Sequence, residues 1–128
     1  MMSEPPYILI VDDESDSLTF LFDLLHNEGY QVVPKSGAFD ALAEITRRRP
    51  WLVISDLRMP DLDGMELLDR VKTESPQTRV ILLTAYGTKD LAKDVARRGG
   101  EAVLLKPSTN TEILRAVRKA LEDPLPKS

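Results

Sequence analysis

Four runs of consecutive apolar residues, at positions 7–11, 51–54, 80–83 and 103–105, limit the folds open to this chain more than any other feature. A strand with one wet face alternates polar and apolar side chains, whereas a strand covered on both faces is apolar throughout. Tyr7-Ile8-Leu9-Ile10-Val11 and Val80-Ile81-Leu82-Leu83 are of the second kind. A weaker run from Tyr30 to Val33 follows Gly29 and suits a partly exposed edge strand. Between the runs lie stripes at helical spacing: Leu18, Leu21, Phe22 and Leu25; Leu42 and Ile45; Leu67, Leu68 and Val71; Leu91 and Val95; Ile113, Leu114, Val117 and Leu121. Gly29 and Gly99-Gly100 stand where left-handed residues close helices, and Ser75-Pro76 ends a third. Five strand–helix units in alternation predict a doubly wound α/β fold with a five-stranded parallel sheet and right-handed crossovers.

The polar residues at the strand ends carry the chemistry. Asp12 and Asp13 follow the first run. Asp56 lies 44 residues after Asp12, Thr84 28 after Asp56, and Lys106 22 after Thr84. One strand–helix repeat takes roughly 20–30 residues, so the first interval holds two repeats and the others one each. All five side chains therefore reach the carboxyl-terminal edge of the sheet, where open α/β sheets bind ligands. Two carboxylates about 4 Å apart repel by roughly 4 kcal/mol at an effective dielectric near 20. Lys106 offsets part of this, and a divalent cation offsets the rest. Oxygen-only ligands favour Mg2+, which binds through one or two carboxylates plus a phosphate. Phosphoryl transfer asks for little beyond such neutralisation and in-line positioning. Asp56 is the candidate nucleophile, forming an acyl phosphate, with Thr84 and Lys106 donating to the phosphoryl oxygens.

Composition removes other classes. No cysteine and one histidine exclude disulfide frameworks, thiol chemistry and the common zinc and iron–sulfur sites. A formal charge of -4 gives no long-range attraction to nucleic acid or anionic membrane. No run approaches the roughly 18 apolar residues of a membrane span, and the first apolar run ends in Asp12-Asp13-Glu14 rather than a cleavage site. A cytoplasmic protein is expected. One domain is expected over residues 1–122, with residues 1–5 loose and 123–128 a flexible tail or the start of a linker.

Four blocks, Val11-Asp12-Asp13-Glu14, the loop from Asp56 through Arg58-Met59-Pro60-Asp61-Leu62-Asp63 to Gly64, Thr84-Ala85, and Lys106-Pro107, occur at these intervals over about residues 6–122. On them the sequence resembles the receiver domain of two-component response regulators. The resemblance implies the flavodoxin-like receiver fold with strand order 2-1-3-4-5, and phosphorylation of Asp56 by a sensor histidine kinase or a phosphotransfer protein. It also implies Mg2+ held by Asp13, Asp56 and the Arg58 backbone carbonyl, with Asp12 acting more through water, and a cis Lys106–Pro107 peptide. It further implies a downstream protein partner or output domain and a phosphorylation-dependent dimer. Such a domain is a phosphoacceptor with at most slow self-catalysed phosphotransfer and dephosphorylation, not a turnover enzyme. The region around Asp56 to Leu68 and Thr84 to Gly87 is similar to receivers attached to ATPase-type transcription activators. Two positions depart from the pattern: the residue three before the lysine, commonly Tyr or Phe, is Val103, and the one after Lys-Pro, often aromatic, is Ser108.

Rival readings have less support. A phosphatase with an aspartyl nucleophile wants a second aspartate two residues on, where this chain has Arg58. A flavin or nucleotide module wants a glycine-rich phosphate loop after the first strand. A degenerate receiver used as a phosphorylation-independent scaffold is the main alternative. Elsewhere, Asp13 or Ser15 suits the cap of the first helix, and Asp63-Gly64 a turn and helix start. His26 and the arginines at 47–49 and 97–98 suit solvated helix positions, and Trp51 suits core or cover. Arg58 and Tyr86 are bulky rim residues beside the path of attacking water.

Overall fold

The computed structural model describes residues 7–122. The loose start expected at 1–5 and the tail at 123–128 lie outside the described residues. Five parallel strands, β1 (Ile8–Val11), β2 (Val32–Lys35), β3 (Leu52–Ser55), β4 (Arg79–Thr84) and β5 (Ala102–Leu105), pair in the order 2-1-3-4-5. Five helices alternate with them: α1 (Ser15–Asn27), α2 (Ala38–Arg47), α3 (Gly64–Glu74), α4 (Leu91–Arg97) and α5 (Asn110–Glu122).

The strands are continuously apolar because each face of the sheet has its own cover. Leu9, Val11, Val53, Val80 and Leu82 point to one side, where Ala41 and Ile45 of α2, Leu67, Leu68 and Val71 of α3, and Leu91 and Val95 of α4 close over them. The alternate residues Ile8, Ile10, Leu52, Ile54, Ile81 and Leu83 meet Leu21 and Leu25 of α1 with Ile113 and Val117 of α5. Each fully buried Leu or Ile contributes about 1.5–3 kcal/mol relative to exposure, so the two-faced core fixes strand register. β2 starts two residues later than the expected run, because the Tyr30 N–H still bonds back to the Leu25 carbonyl at the end of α1. Pro34 is tolerated there because β2 lies at the sheet edge.

Gly29 and Gly99 have φ of 94° and 93° and close α1 and α4, and Ser75 ends α3 before Pro76, as the sequence requires. The arginines after α2 are not merely solvated. Arg47 reaches the buried Glu44 carboxylate at 2.5 Å, and Arg48 stacks on the Tyr7 ring at 4.1 Å. Burial works to raise the Glu44 pKa, but hydrogen bonds from Arg47 and Tyr7 with the two arginine charges hold it below the usual range. Burial first, and then Glu44, push the Tyr7 phenol above its ordinary value. This cluster ties the start of β1 to the end of α2. Trp51 is 39% exposed at the same end and is neither core nor a full cover.

Helix α2 begins at Gly37, which has no side chain to cap it. The cap comes from another loop: Asp61 accepts the Ala38 and Phe39 N–H groups at 3.3 and 3.0 Å. The Phe39 bond first, then that of Ala38, hold the Asp61 carboxyl below its usual range. Asp61→Ala is expected to destabilise the protein by about 1 kcal/mol near neutral pH, the usual loss for a cap. A group with a depressed folded pKa stabilises above its unfolded value and ceases to as pH falls through the folded one. Urea unfolding of the two proteins should therefore differ at neutral pH and converge in acid, as pH falls below the unfolded aspartate value of about 3.9 and through the lower folded one.

Candidate functional site

The carboxyl ends of β1, β3, β4 and β5 bring Asp12, Asp56, Thr84 and Lys106 together. Asp12, Asp56 and Thr84 are 6%, 7% and 0% exposed, whereas Asp13 is exposed, so one carboxylate of the three faces outward. Lys106 Nζ lies 3.1 Å from Asp12 Oδ2 and 3.7 Å from Asp56 Oδ2. Each buried carboxylate turns its other oxygen to a backbone donor. Asp12 Oδ1 accepts the Glu14 N–H at 2.9 Å, and Asp56 Oδ1 accepts the Leu57 N–H at 2.7 Å. Desolvation opposes the charge on Lys106, but the Asp12 hydrogen bond and the charges of Asp12, Asp56 and Glu14 outweigh it and hold the ammonium above its usual range.

Asp12, Asp13 and Asp56 can each present an oxygen so that the three atoms lie within 4.8 Å of one another. The donor set is all oxygen and negatively charged, and it fits a hard divalent cation. The capping role considered for Asp13 and Ser15 is not realised. The residue preceding α1 is Glu14, which makes no side-chain cap, and Asp12 satisfies its N–H instead. Asp13 is thereby left to face the pocket mouth.

The loop from Asp56 to α3 is held at close quarters. Asp63 caps α3, accepting the Glu66 N–H at 2.9 Å, as expected of Asp63-Gly64. Gly64 N–H donates to the Leu57 carbonyl at 2.7 Å. A Cβ at Gly64 would stand 2.5 Å from the Asp56 carbonyl oxygen and 2.9 Å from Leu57 Cα, both backbone atoms. The Lys106–Pro107 peptide is cis.

Three contacts at the rim are invisible in the sequence. The Arg58 guanidinium stacks on the Tyr86 ring at 4.2 Å, joining the loops after β3 and β4 across the pocket. The Tyr86 N–H donates to Thr84 Oγ1 at 3.0 Å. Asp61 reaches α2, as described. The first joins residues that follow separate strands, which no local pattern reports; the second is a turn contact between residues two apart at the end of β4; the third was signalled only by Gly37 being unable to cap its own helix. His26 is exposed and stacks on Phe22 with ring centroids 5.3 Å apart, far along α1 from the carboxylates. Val103 is partly buried against the core of α2, α3 and α4.

Fold and pocket define a doubly wound α/β module with an acidic pocket at the carboxyl edge of its sheet, and comparison with known proteins places it. The family model described as the response regulator receiver domain matches residues 8–118. The chain belongs to that family. It is 38% identical over 121 residues to sporulation initiation phosphotransferase F of Bacillus subtilis, covering 94% of this chain and 96% of that protein. It is also 37% identical over 117 residues to the nitrogen assimilation regulatory protein NtrX of Azorhizobium caulinodans, covering 90% of this chain but 26% of that protein. Among several curated relatives, then, the chain spans only about a quarter of the length. A receiver domain protein of Clostridium thermocellum superposes with a TM-score of 0.85 at 33% identity, covering 91% of this chain and 94% of the other. A CheY-like receiver protein from Methanospirillum hungatei gives 0.88 at 28% identity, covering 93% and 95%. No helix among the described residues is long and apolar enough to cross a membrane.

Gly64→Ala is expected to cost about 1–3 kcal/mol, the range for forcing atoms into packed space. Because the clash is with the Asp56 carbonyl, the variant should also bind divalent cations more weakly than its lost stability explains. Chemical denaturation paired with calorimetric titration of Mg2+ checks both.

Proposed function

We propose that this chain is a phosphorylation-controlled signalling switch that accepts a phosphoryl group on Asp56 from a phosphohistidine of a sensor kinase or phosphotransfer protein. The supporting observation is the gathering of Asp12, Asp13 and Asp56 around one point, with Lys106 fixed at 3.1 and 3.7 Å from the two buried carboxylates. An oxygen of Asp56 attacks the phosphorus, the bond from phosphorus to the donor imidazole nitrogen breaks, and an acyl phosphate results. Mg2+, held by Asp12, Asp13, Asp56 and the Arg58 backbone carbonyl, supplies neutralisation of the phosphoryl charge when bound.

The chain's own residues do the rest. Lys106 provides a point charge already in place between the two buried carboxylates, so little rearrangement is asked of it when phosphoryl oxygens arrive. Thr84 Oγ accepts a hydrogen bond from the Tyr86 N–H, and a turn of the side chain that releases it lets the hydroxyl donate its own proton to a phosphoryl oxygen. Added charge at one end of the sheet then biases the exposed surface toward a protein partner, an output domain or a second copy. The domain acts stoichiometrically; its chemistry is self-phosphorylation and slow self-dephosphorylation rather than turnover. A cytoplasmic setting follows from the kinase as donor.

Incubation with a small phosphodonor and Mg2+ should add one phosphoryl group by intact mass, absent in Asp56→Asn and in magnesium-free samples. No gain with donor in excess would put a phosphorylation-independent scaffold in its place.

Decay of the phosphorylated form should be slow, because the stacked Arg58 and Tyr86 side chains crowd the in-line path of water. Arg58→Ala and Tyr86→Ala should each decay several-fold faster in a single-turnover chase. Unchanged decay in both would remove the crowding explanation.

A further inference from the structure

Strand β5 is one of the two edges of the sheet, and its two side chains on the α4 side differ sharply. Val103 is half enclosed by the core of α2, α3 and α4. Leu105 lies two residues on, hence on the same face, and is 57% exposed. In the sheet register Leu105 stands opposite Thr84, which is fully buried. The next residue, Lys106, donates its N–H to the Thr84 carbonyl at 2.8 Å. Leu105 also rests on the loop after β4: a Cβ at Gly87 would come within 2.2 Å of Leu105 Cδ2. That loop is fastened at its other end by the Tyr86 N–H on the Thr84 hydroxyl.

We propose that Leu105 is a positioning residue that couples Thr84 to the exposed edge formed by β5 and the loop leading into α4. Seated on Gly87, it holds residues 85–87 in the arrangement seen here, and it leaves that seat when Thr84 turns toward a phosphoryl group on Asp56. The inference rests on the phosphoacceptor reading of the preceding subsection.

The mechanics follow from the contacts. Turning Thr84 Oγ releases the Tyr86 N–H and frees the loop. Gly87 and Leu105 are in van der Waals contact, so the loop cannot close over the pocket without displacing the leucine. Leu105 has a solvent-facing side chain and can move to another staggered rotamer at small cost. Val103 is less suited, because it is branched at Cβ with a stiff χ1 and is already partly buried against the core. Gly87 is therefore needed for its missing side chain: an alanine methyl there would evict the tip of Leu105, a flexible group, without disturbing backbone.

Hydrogen exchange read by mass spectrometry, before and after donor and Mg2+, tests this on the whole chain, with intact mass measured on the same samples. In the wild-type protein, exchange of peptides spanning 85–98 should change several-fold on phosphorylation. Leu105→Ala should be phosphorylated to the same extent yet lose most of that change, while Val103→Ala keeps it. Gly87→Ala should exchange like the phosphorylated protein before any donor is added. A normally phosphorylated Leu105→Ala with the full wild-type response overturns the proposal, as does loss of the response in Val103→Ala. So does a folded Leu105→Ala that takes no phosphoryl group when the wild type does, since the residue would then act on the reaction itself. A wild-type protein that takes none brings down the phosphoacceptor reading, and this one with it.

Discussion

Like charge crowded at one edge of a parallel sheet is the constraint around which this molecule is arranged. Parallel pairing sends the carboxyl ends of β1, β3, β4 and β5 to the same side, so aspartates at those ends meet whatever their separation in sequence. Two buried carboxylates at such range repel strongly in a poorly screened site. The structure meets this with one backbone N–H on an oxygen of each, from Glu14 and Leu57, and with Lys106 between the remaining oxygens. Asp13, at the mouth of the pocket, is exposed, so solvent screens its charge. What remains is a pocket in which three carboxylates face a single ammonium.

Holding that pocket open needs a stiff loop beneath it. The segment from Asp56 to Gly64 is secured at its far end by the Asp63 cap on α3 and by the contact of Gly64 with the Asp56 backbone. In its middle, Asp61 reaches across to α2 and supplies the cap that Gly37 cannot. The loop that follows Asp56 is thus tied to two helices on the same face of the sheet, and neither tie uses a side chain of the pocket itself. The backbone at Asp56 is set by these contacts, while its carboxylate meets only the Leu57 N–H and, at 3.7 Å, Lys106.

How much of this was legible in the sequence follows from how local each cause is. Strands β1, β3, β4 and β5 were readable because both faces are buried and the apolar runs are unbroken. Edge strand β2, with Pro34 and only partial burial, announced itself weakly and two residues early. The site was readable because its parts sit at strand ends, and strand ends can be counted. Contacts between elements were not. Arg47 and Arg48 looked like solvated cations at a helix end, yet they serve a buried Glu44 and the Tyr7 ring. Arg58 and Tyr86 were each noticed for bulk, but that one stacks on the other is a property of the fold. Trp51 looked like cover because tryptophan usually is, and its position at the strand entrance leaves it in part to solvent.

The same division decides which parts of the molecule can carry a signal. A core packed on both sheet faces transmits strain but has little room for alternative arrangements, and here it includes Thr84 at 0% exposure. Loop 85–90 is exposed throughout, and β5 lies at the open edge beside it. A phosphoryl group on Asp56 would raise the local negative charge by up to about one unit over the carboxylate it replaces. The responders within the pocket are few: the Lys106 ammonium and the Thr84 hydroxyl. Lys106 already lies between the two carboxylates and gains little by moving. Thr84 is the group that must give up an existing arrangement, because its oxygen accepts the Tyr86 N–H. Movement would therefore start at Thr84 and leave by the loop and edge strand bonded to it. The rest of the sheet, whose side chains interlock on both faces, would stay as it is.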